Sequence, residues 1–439
     1  MLANGNRRPI VVDLFAGAGG LSLGFEQAGF DIAVAVEFDP VHSATHEYNF
    51  PCSAVICADV RQLSGDGIRS AAGLGDVEID VLVGGPPCQG FSLIGHRVLD
   101  DPRNDLVFHF LRLVDELQPR AFVMENVAGM ATGQHTRLLE ELIERFKTIG
   151  YSLRLPYQIL NAADYGIPQN RRRLFLLGAR SDIILPNYPV KQTVRAGTKS
   201  NQKGMLELPL GLPFGPTVAD AICDIPDIEL FESLFESDEM RIRPVGGSEY
   251  AMRLRGDLQD ERDYSYPRYH DPHVLSGCLR ARHTDLSRER FAATVQGSTE
   301  PVSRFFKLPL DGTSNTLRAG TASDRGAFSA PRPIHPVHPR CISVREAARL
   351  HSFPDWFRFH KTIWHGFRQI GNSVPPLLGR AVAEEVRAVL GFVPLRPSEP
   401  MPSSDPTLVT MDMSAAALHF GVSRSVIPPR RRLTDTHSA

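Results

Sequence analysis

The chain has 439 residues, 42% of them hydrophobic and 22% charged, an ordinary globular composition long enough for two domains and a tail. No apolar run approaches membrane-spanning length and the first residues hold no apolar secretory core. The six cysteines include no Cys-x-x-Cys pair, which argues against a disulfide framework or a metal site and predicts a cytoplasmic protein. A formal net charge of −2 gives no global basic signal, so any surface for a polyanion must be local.

Over residues 1–185 strands and helices alternate. The run Ile10-Val11-Val12-Asp13-Leu14-Phe15 predicts a strand, and the turn carrying Gly17, Gly19 and Gly20 opens a helix near 21–28. Residues 32–36 predict a second strand ending at Glu37, and a helix starts at Pro40, a favoured first helical residue, and runs to about 48. A third strand over 54–56 reaches Asp59. Residues 79–83 read as a short buried strand leading into Gly84-Gly85-Pro86-Pro87-Cys88-Gln89-Gly90-Phe91-Ser92. A helix over 105–117 shows Leu106, Phe110, Leu113 and Leu117 in helical spacing. A strand over 121–124 ends at Glu125, residues 137–146 are amphipathic, and 174–177 form a late strand. Such alternation predicts a Rossmann-like α/β domain, a mostly parallel sheet with helices on both faces and ligands beyond the carboxyl ends of its strands.

Over 186–339 the alternation is lost, which predicts a second, irregular domain starting between about 186 and 230. Residues 340–391 return to the first domain: Ser343 and Glu346 form a capping-box pattern, and another helix follows Pro376. Residues 392–439, rich in Pro and Ser and ending in a basic run, predict a mobile tail.

The prolines and glycines around Cys88 hold a thiol rigidly at the mouth of the sheet, where a nucleophile would meet a substrate; the plainer alternative is a buried, inert cysteine. In the glycine-rich turn a ligand can approach the backbone near a helix N-terminus. Glu37 stands where a carboxylate can hold both ribose hydroxyls, and Asp59 where one can take an adenine amino group. These features fit an adenosine-containing cofactor and leave a dinucleotide and S-adenosylmethionine both open.

The run Gly-Pro-Pro-Cys-Gln-Gly-Phe-Ser closely resembles the catalytic loop of the cytosine-5 DNA methyltransferases, and Asp13-Leu14-Phe15-Ala16-Gly17-Ala18-Gly19-Gly20 is similar to their S-adenosylmethionine loop. Glu125-Asn126-Val127, Gln169-Asn170-Arg171-Arg172-Arg173, the segment 345–354 and Gln369-Ile370-Gly371-Asn372-Ser373-Val374 match further family motifs in the usual order. The likeness covers about 9–180 and 340–391. It implies an S-adenosylmethionine-dependent methyltransferase sheet and a smaller target-recognition domain. It also implies a cofactor pocket built from Phe15, Gly17, Gly19, Gly20, Glu37, Phe38, Asp59, Val60, Pro87, Leu106, Asn372 and Val374. Cys88 would add to carbon 6 of cytosine so that carbon 5 becomes nucleophilic, and Glu125, its pKa raised by burial, would supply the acid at ring nitrogen 3. Arg173 would hold the cytosine carbonyl, and Arg171 the pocket or a phosphate. Gln89, Ser92 and Asn126 would serve the substrate, Asn126 by bracing the Pro-Cys loop, and 89–104 would form the loop that closes over the flipped base.

The resemblance further implies a protein that acts as a monomer on double-stranded DNA, commonly beside a cognate restriction endonuclease. A tRNA cytosine-5 methyltransferase and a non-catalytic DNA-binding protein of the same fold are the alternatives. Arg280, Arg282, His283, Arg288, Arg304, Arg318 and Arg325 are the candidates for DNA contact. The acidic stretch 218–240 is expected to face away from DNA and the basic stretch 301–340 to face it.

Overall fold

The computed structural model describes residues 7–87, 105–133, 135–197, 211–243, 246–319 and 332–427. The N-terminal alternation builds β1 (Ile10–Leu14), α1 (Gly20–Gln27), β2 (Asp31–Glu37), α2 (Pro40–Asn49), β3 (Ala54–Cys57), α3 (Gly65–Ala71), β4 (Val81–Gly84), α4 (Asp105–Leu117), β5 (Ala121–Val127) and α5 (His135–Thr148). Three further strands follow: β6 (Tyr151–Leu153), β7 (Gln158–Asn161) and β8 (Arg172–Arg180). The expected α/β sheet is present, with strand order β3-β2-β1-β4-β5-β8-β6 and β7 paired to β8. Strands β1 to β5 are parallel, whereas β8 runs antiparallel to β5, β6 and β7. Strands β6 and β7, three and four residues long, are too short to show a period and escaped the sequence reading.

Side-chain alternation explains the two layers. Val11, Val81, Val83, Val123, Phe175 and Leu177 enter the core shared with α1 and the C-terminal helices. Their neighbours Val12, Leu82, Phe122, Met124, Leu174 and Leu176 enter the core beneath α4 and α5. Both faces are covered, so the central strands are apolar throughout.

The second region holds α6 (Val218–Ile222), the two-stranded ribbon of β9 (Met240–Arg241) and β10 (Val274–Leu275), α7 (Glu249–Arg255) and α8 (Asp285–Ala293). The chain then returns through α9 (Val344–Leu350), α10 (Ile363–Asn372) and α11 (Pro376–Leu390). Ser343 and Glu346 form the expected capping box. Val218, Ile222, Leu234, Met240 and Leu275 share one apolar cluster with Val344, Ala347, Phe353 and Leu378, so the irregular region packs on the returning helices.

One expectation is corrected. Residues 392–427 are packed rather than a mobile tail: Phe392, Met401, Leu408, Val409, Ala416 and Ala417 are buried, and α12 (Met413–His419) lies on α2. Apolar residues spaced among the prolines supply the burial that composition alone does not reveal. The rest of the expected tail, 428–439, lies outside the described residues. Within the acidic stretch Glu229 pairs with Arg288, Asp227 with Arg340 at 3.4 Å and Glu232 with Arg280 at 3.5 Å; of these three cations only Arg340 belongs to the basic stretch 301–340.

Candidate active site

Strands β1 and β4 are hydrogen-bonded neighbours, and the chain leaves them in opposite directions across the sheet. Their carboxyl ends therefore open a crevice, the place where α/β sheets take ligands. A single cleft of about 360 Å³ lies there, within the ~300–1,000 Å³ of small-molecule sites.

One half of the cleft is built by β1, β2 and β3. Phe15, directly after β1, is in the left-handed region at φ +59°, a costly conformation for an aromatic residue, and lines the cleft. Gly17, also left-handed, has nothing within 4 Å of where a Cβ would sit, so its surface is open to a ligand. The other two glycines serve packing: a Cβ on Gly19 would lie 2.3 Å from the Phe50 ring and one on Gly20 2.4 Å from the Val374 carbonyl. Gly20 still lines the cleft, whereas Gly19, turned toward Phe50, does not. Glu37 accepts the Gly17 and Asp39 amides, both at 2.9 Å, which locks its carboxylate at the cleft wall. Asp59 caps the turn after β3 and pairs with Arg61 at 3.1 Å. Phe38, Val60, Pro87, Leu106, Asn372 and Val374 all line the same cleft.

The other half is built by β5 and β8, whose register sets Glu125 opposite Phe175 and Val127 opposite Arg173. Glu125 pairs with the Arg173 Nε at 2.9 Å. Burial pushes the Glu125 carboxyl up from the usual range, against the opposing pull of Arg173 and Arg171. The Asn126 side chain donates to the Pro86 carbonyl at 3.1 Å, which ties the strand end to the Pro-Pro turn as expected. A Cβ on Gly85 would come within 2.9 Å of Glu125 Oε2, so that glycine permits the close approach. Cys88, Gln89 and Ser92, with the expected closing loop 89–104, lie outside the described residues.

Arg171 lines the cleft and also braces it: its guanidinium is buried and donates to the carbonyls of Leu317, Gly371 and Ser373 at 2.8–2.9 Å, while its Nε has no hydrogen-bond partner among the described residues. Gln169 continues the brace by donating to Leu350 O and accepting from Leu317 N. His351 Nε2 lies 3.0 Å from Ser373 O; a carbonyl only accepts, so this nitrogen carries the proton and Nδ1 accepts from Gln169. Burial, with Arg171 nearby, keeps this imidazole neutral. Arg172 is exposed, as alternation requires.

Sequence reading missed several lining residues: Asp39 and His42 at the start of α2, Arg368 in α10, and Ile427. Arg368 directly precedes the Gln369 motif and was within reach of a closer reading; Ile427 carried no local signal. Among the candidates for DNA contact, Arg282, Arg304 and Arg318 are exposed. Arg280 and Arg282 stack on Phe235 at 4.1 and 4.3 Å, Arg288 is paired with Glu229, and His283 accepts the Cys341 amide at 3.3 Å. Arg325 lies outside the described residues.

Comparison with known proteins agrees with this geometry. Residues 10–388 match the family model of the C-5 cytosine-specific DNA methylases. The chain is 54% identical to the Type II methyltransferase M.XorII of Xanthomonas oryzae pv. oryzae, over 98% of this chain and 96% of that protein. It is 32% identical to M.AgeI of Thalassovita gelatinovora, over 86% and 99% of the two chains. A crystal structure of a DNA modification methyltransferase encoded within an E. coli prophage superposes with a TM-score of 0.68 at 34% identity, covering 88% of this chain and all of that one. The S. pombe Dnmt2 methyltransferase, at 17% identity and a TM-score of 0.51, shares the fold. An α/β sheet with its cleft at the β1/β4 crevice, an acid paired to Arg173 in that cleft and a family match over most of the chain lead to one assignment: the protein belongs to the C-5 cytosine-specific DNA methylases.

Proposed function

We propose that the enzyme transfers a methyl group from S-adenosylmethionine to carbon 5 of a cytosine flipped out of duplex DNA, within a specific sequence, through a covalent bond from Cys88 to carbon 6. The observation that carries this reading is the continuity of the cleft: Phe15 and Glu37 line one half, Glu125 and Arg173 the other, and Pro87, adjacent to Cys88 in sequence, lines it as well.

The donor fits the first half. The open face of Gly17, the fixed Glu37 carboxylate and the apolar Phe15, Val60 and Leu106 suit a ribose and an adenine, with Asp59 near the amino group. When bound, S-adenosylmethionine supplies an electrophilic methyl on a sulfonium. The chain's own groups do the rest. The Cys88 thiolate forms a bond to carbon 6, and the ring's electron pair moves to make carbon 5 nucleophilic while nitrogen 3 gains negative character. Glu125, whose carboxyl burial shifts toward the protonated form, donates to nitrogen 3, and Arg173 holds both Glu125 and the cytosine carbonyl. As carbon 5 takes the methyl group, the C–S electron pair stays with the donor sulfur as a thioether; water then takes the carbon 5 proton, the electrons of that C–H bond re-form the carbon 5–carbon 6 double bond and expel the Cys88 thiolate, and nitrogen 3 returns its proton to Glu125. Flipping the base costs on the order of a few kcal/mol, offset by contacts made in the cleft. Arg171 braces the cleft wall through the carbonyls of Leu317, Gly371 and Ser373.

The relatives bear the name Type II methyltransferase, which supports action on DNA within a restriction–modification system. Bisulfite sequencing of DNA from cells expressing the protein tests the reading. One sequence context methylated at cytosine is expected; unmethylated DNA with methylated tRNA would overturn it. DNA containing 5-fluorocytosine should form a covalent adduct with the wild type and none with Cys88→Ser. Full methyl transfer by that variant would refute the nucleophile.

A further inference from the structure

The family match ends at residue 388, yet the chain beyond it returns to the cleft. From Phe392 the extension runs back across the domain. Arg8 donates to the Leu395 carbonyl at 2.6 Å, and the Met401 amide to that of Pro267 at 2.9 Å. Ser404 donates to the Tyr48 carbonyl at 2.6 Å, and the Lys361 amide to that of Val409 at 2.9 Å. His360 Nε2 lies 3.0 Å from Met411 O, and His419 pairs with Glu47 on α2 at 2.8 Å. Buried Leu408, Val409, Ala416 and Ala417 anchor this wrap. It brings half-buried Ile427 into the cleft lining, alongside Asp39 and His42 at the start of α2 and Arg368 from α10.

We propose that this extension completes the methyl-donor site, with Ile427 as an apolar wall over the nucleoside half of the cleft. The topology selects that half. The extension rests on α2, which joins β2 to β3, the edge that carries Glu37 and Asp59. Glu125 and Arg173 stand on β5 and β8, across β1 and β4. An isoleucine half in water and half in the cleft gains burial when an apolar ring lies against it, and a carboxylate at that point loses its water without gaining a partner. Donor affinity in this enzyme therefore depends on a segment outside the matched family residues.

The inference rests on the methyl-donor reading above, and the test separates the two. S-adenosylmethionine is titrated by calorimetry into full-length wild type, Ile427→Ala, Ile427→Asp and Ile427→Met. The affinity for duplex DNA and the melting temperature without ligand are measured alongside. Ile427→Asp should weaken donor binding by about tenfold and Ile427→Ala by about threefold, with Ile427→Met near wild type and with melting and DNA affinity unchanged. Donor affinity within twofold of wild type in Ile427→Asp would overturn the inference, as would a loss confined to DNA affinity. Failure of the wild type to bind S-adenosylmethionine would instead overturn the donor reading itself.

Discussion

Glu125 illustrates how one residue takes its chemistry from its surroundings. As a letter in the chain it is a carboxylate at a strand end; in the structure it is buried against Arg173, and burial raises its pKa. A protonated Glu125 is the useful form, so methyl transfer should fall as pH rises through that raised value. Glu125→Gln should lower turnover by about 10²–10⁴-fold with donor affinity retained, and its pH profile should lack that falling limb. A rate-against-pH series on both proteins checks this. Asp13 presents a second case. It accepts from Ser22, whose hydroxyl also contacts His46 at 3.0 Å, and all three are buried. Burial pushes Asp13 up from 3.8 to about 7 and His46 down from 6.5 to about 3. The native protein thus holds the Asp13 proton more tightly than the unfolded chain. That contribution is fully present below about 4 and is lost as pH rises to about 7. The His46 contribution has the opposite sign, lost as pH falls from about 6.5 to about 3. Asp13→Asn removes the first and leaves the second. Its stability relative to wild type should therefore rise between pH 4 and 7 by on the order of 4 kcal/mol, measured by urea unfolding at several pH values. Parallel curves for the two proteins would contradict this. The raised and lowered groups could not be read from the sequence, because both shifts come from burial, which the packing of separate elements creates.

At the scale of elements, the glycine-rich motif was legible but its reasons were not. Gly17 faces open space, as a ligand-approach glycine should, whereas Gly19 and Gly20 are small because Phe50 and Val374 press on them. Gly24 extends the same logic into α1: a Cβ there would lie 2.6 Å from the Pro376 carbonyl and 2.7 Å from the Arg380 amide, so α1 and α11 meet backbone to backbone. Gly24→Ala should therefore destabilise by about 1–3 kcal/mol through overpacking, despite the better helix propensity of alanine. The thermal midpoint reports it, and an unchanged or raised midpoint would show that the helices can separate freely. Most of the strand–helix alternation of 10–180 was read because its apolar runs are distinct. Helix α3, strands β6 and β7, the full length of β8, and the brace formed by Gln169, Arg171 and His351 were not. Arg171 looks like a surface charge run in sequence, and its carbonyl partners at 317, 371 and 373 are far along the chain.

Across the whole molecule, the irregular region is held to the returning helices by a buried ionic cluster. Arg349 bridges Asp224 at 2.6 Å and Asp355 at 2.7 Å, and Arg255 also binds Asp224 at 2.6 Å. Arg345 donates to the carbonyls of Ser276, Pro354 and Phe357. Arg349→Met leaves two buried carboxylates short of their partner and should cost on the order of 3–5 kcal/mol. Denaturant unfolding should show one cooperative transition at a lower midpoint, since the apolar core runs continuously through both parts. A wild-type midpoint would mean that the cluster does not bind the regions together. The order of short motifs along the chain was sufficient to establish an α/β methylase and to name most of the cleft residues, because each motif sits at a strand end and strand ends converge in a parallel sheet. The tertiary structure alone decided that Arg171 braces distant backbone as well as lining the cleft, that Asp227 pairs with Arg340, and that a proline-rich tail packs and reaches the cleft at Ile427. Those outcomes depend on contacts between residues hundreds of positions apart, and burial and charge pairing over such separations leave no local period to read.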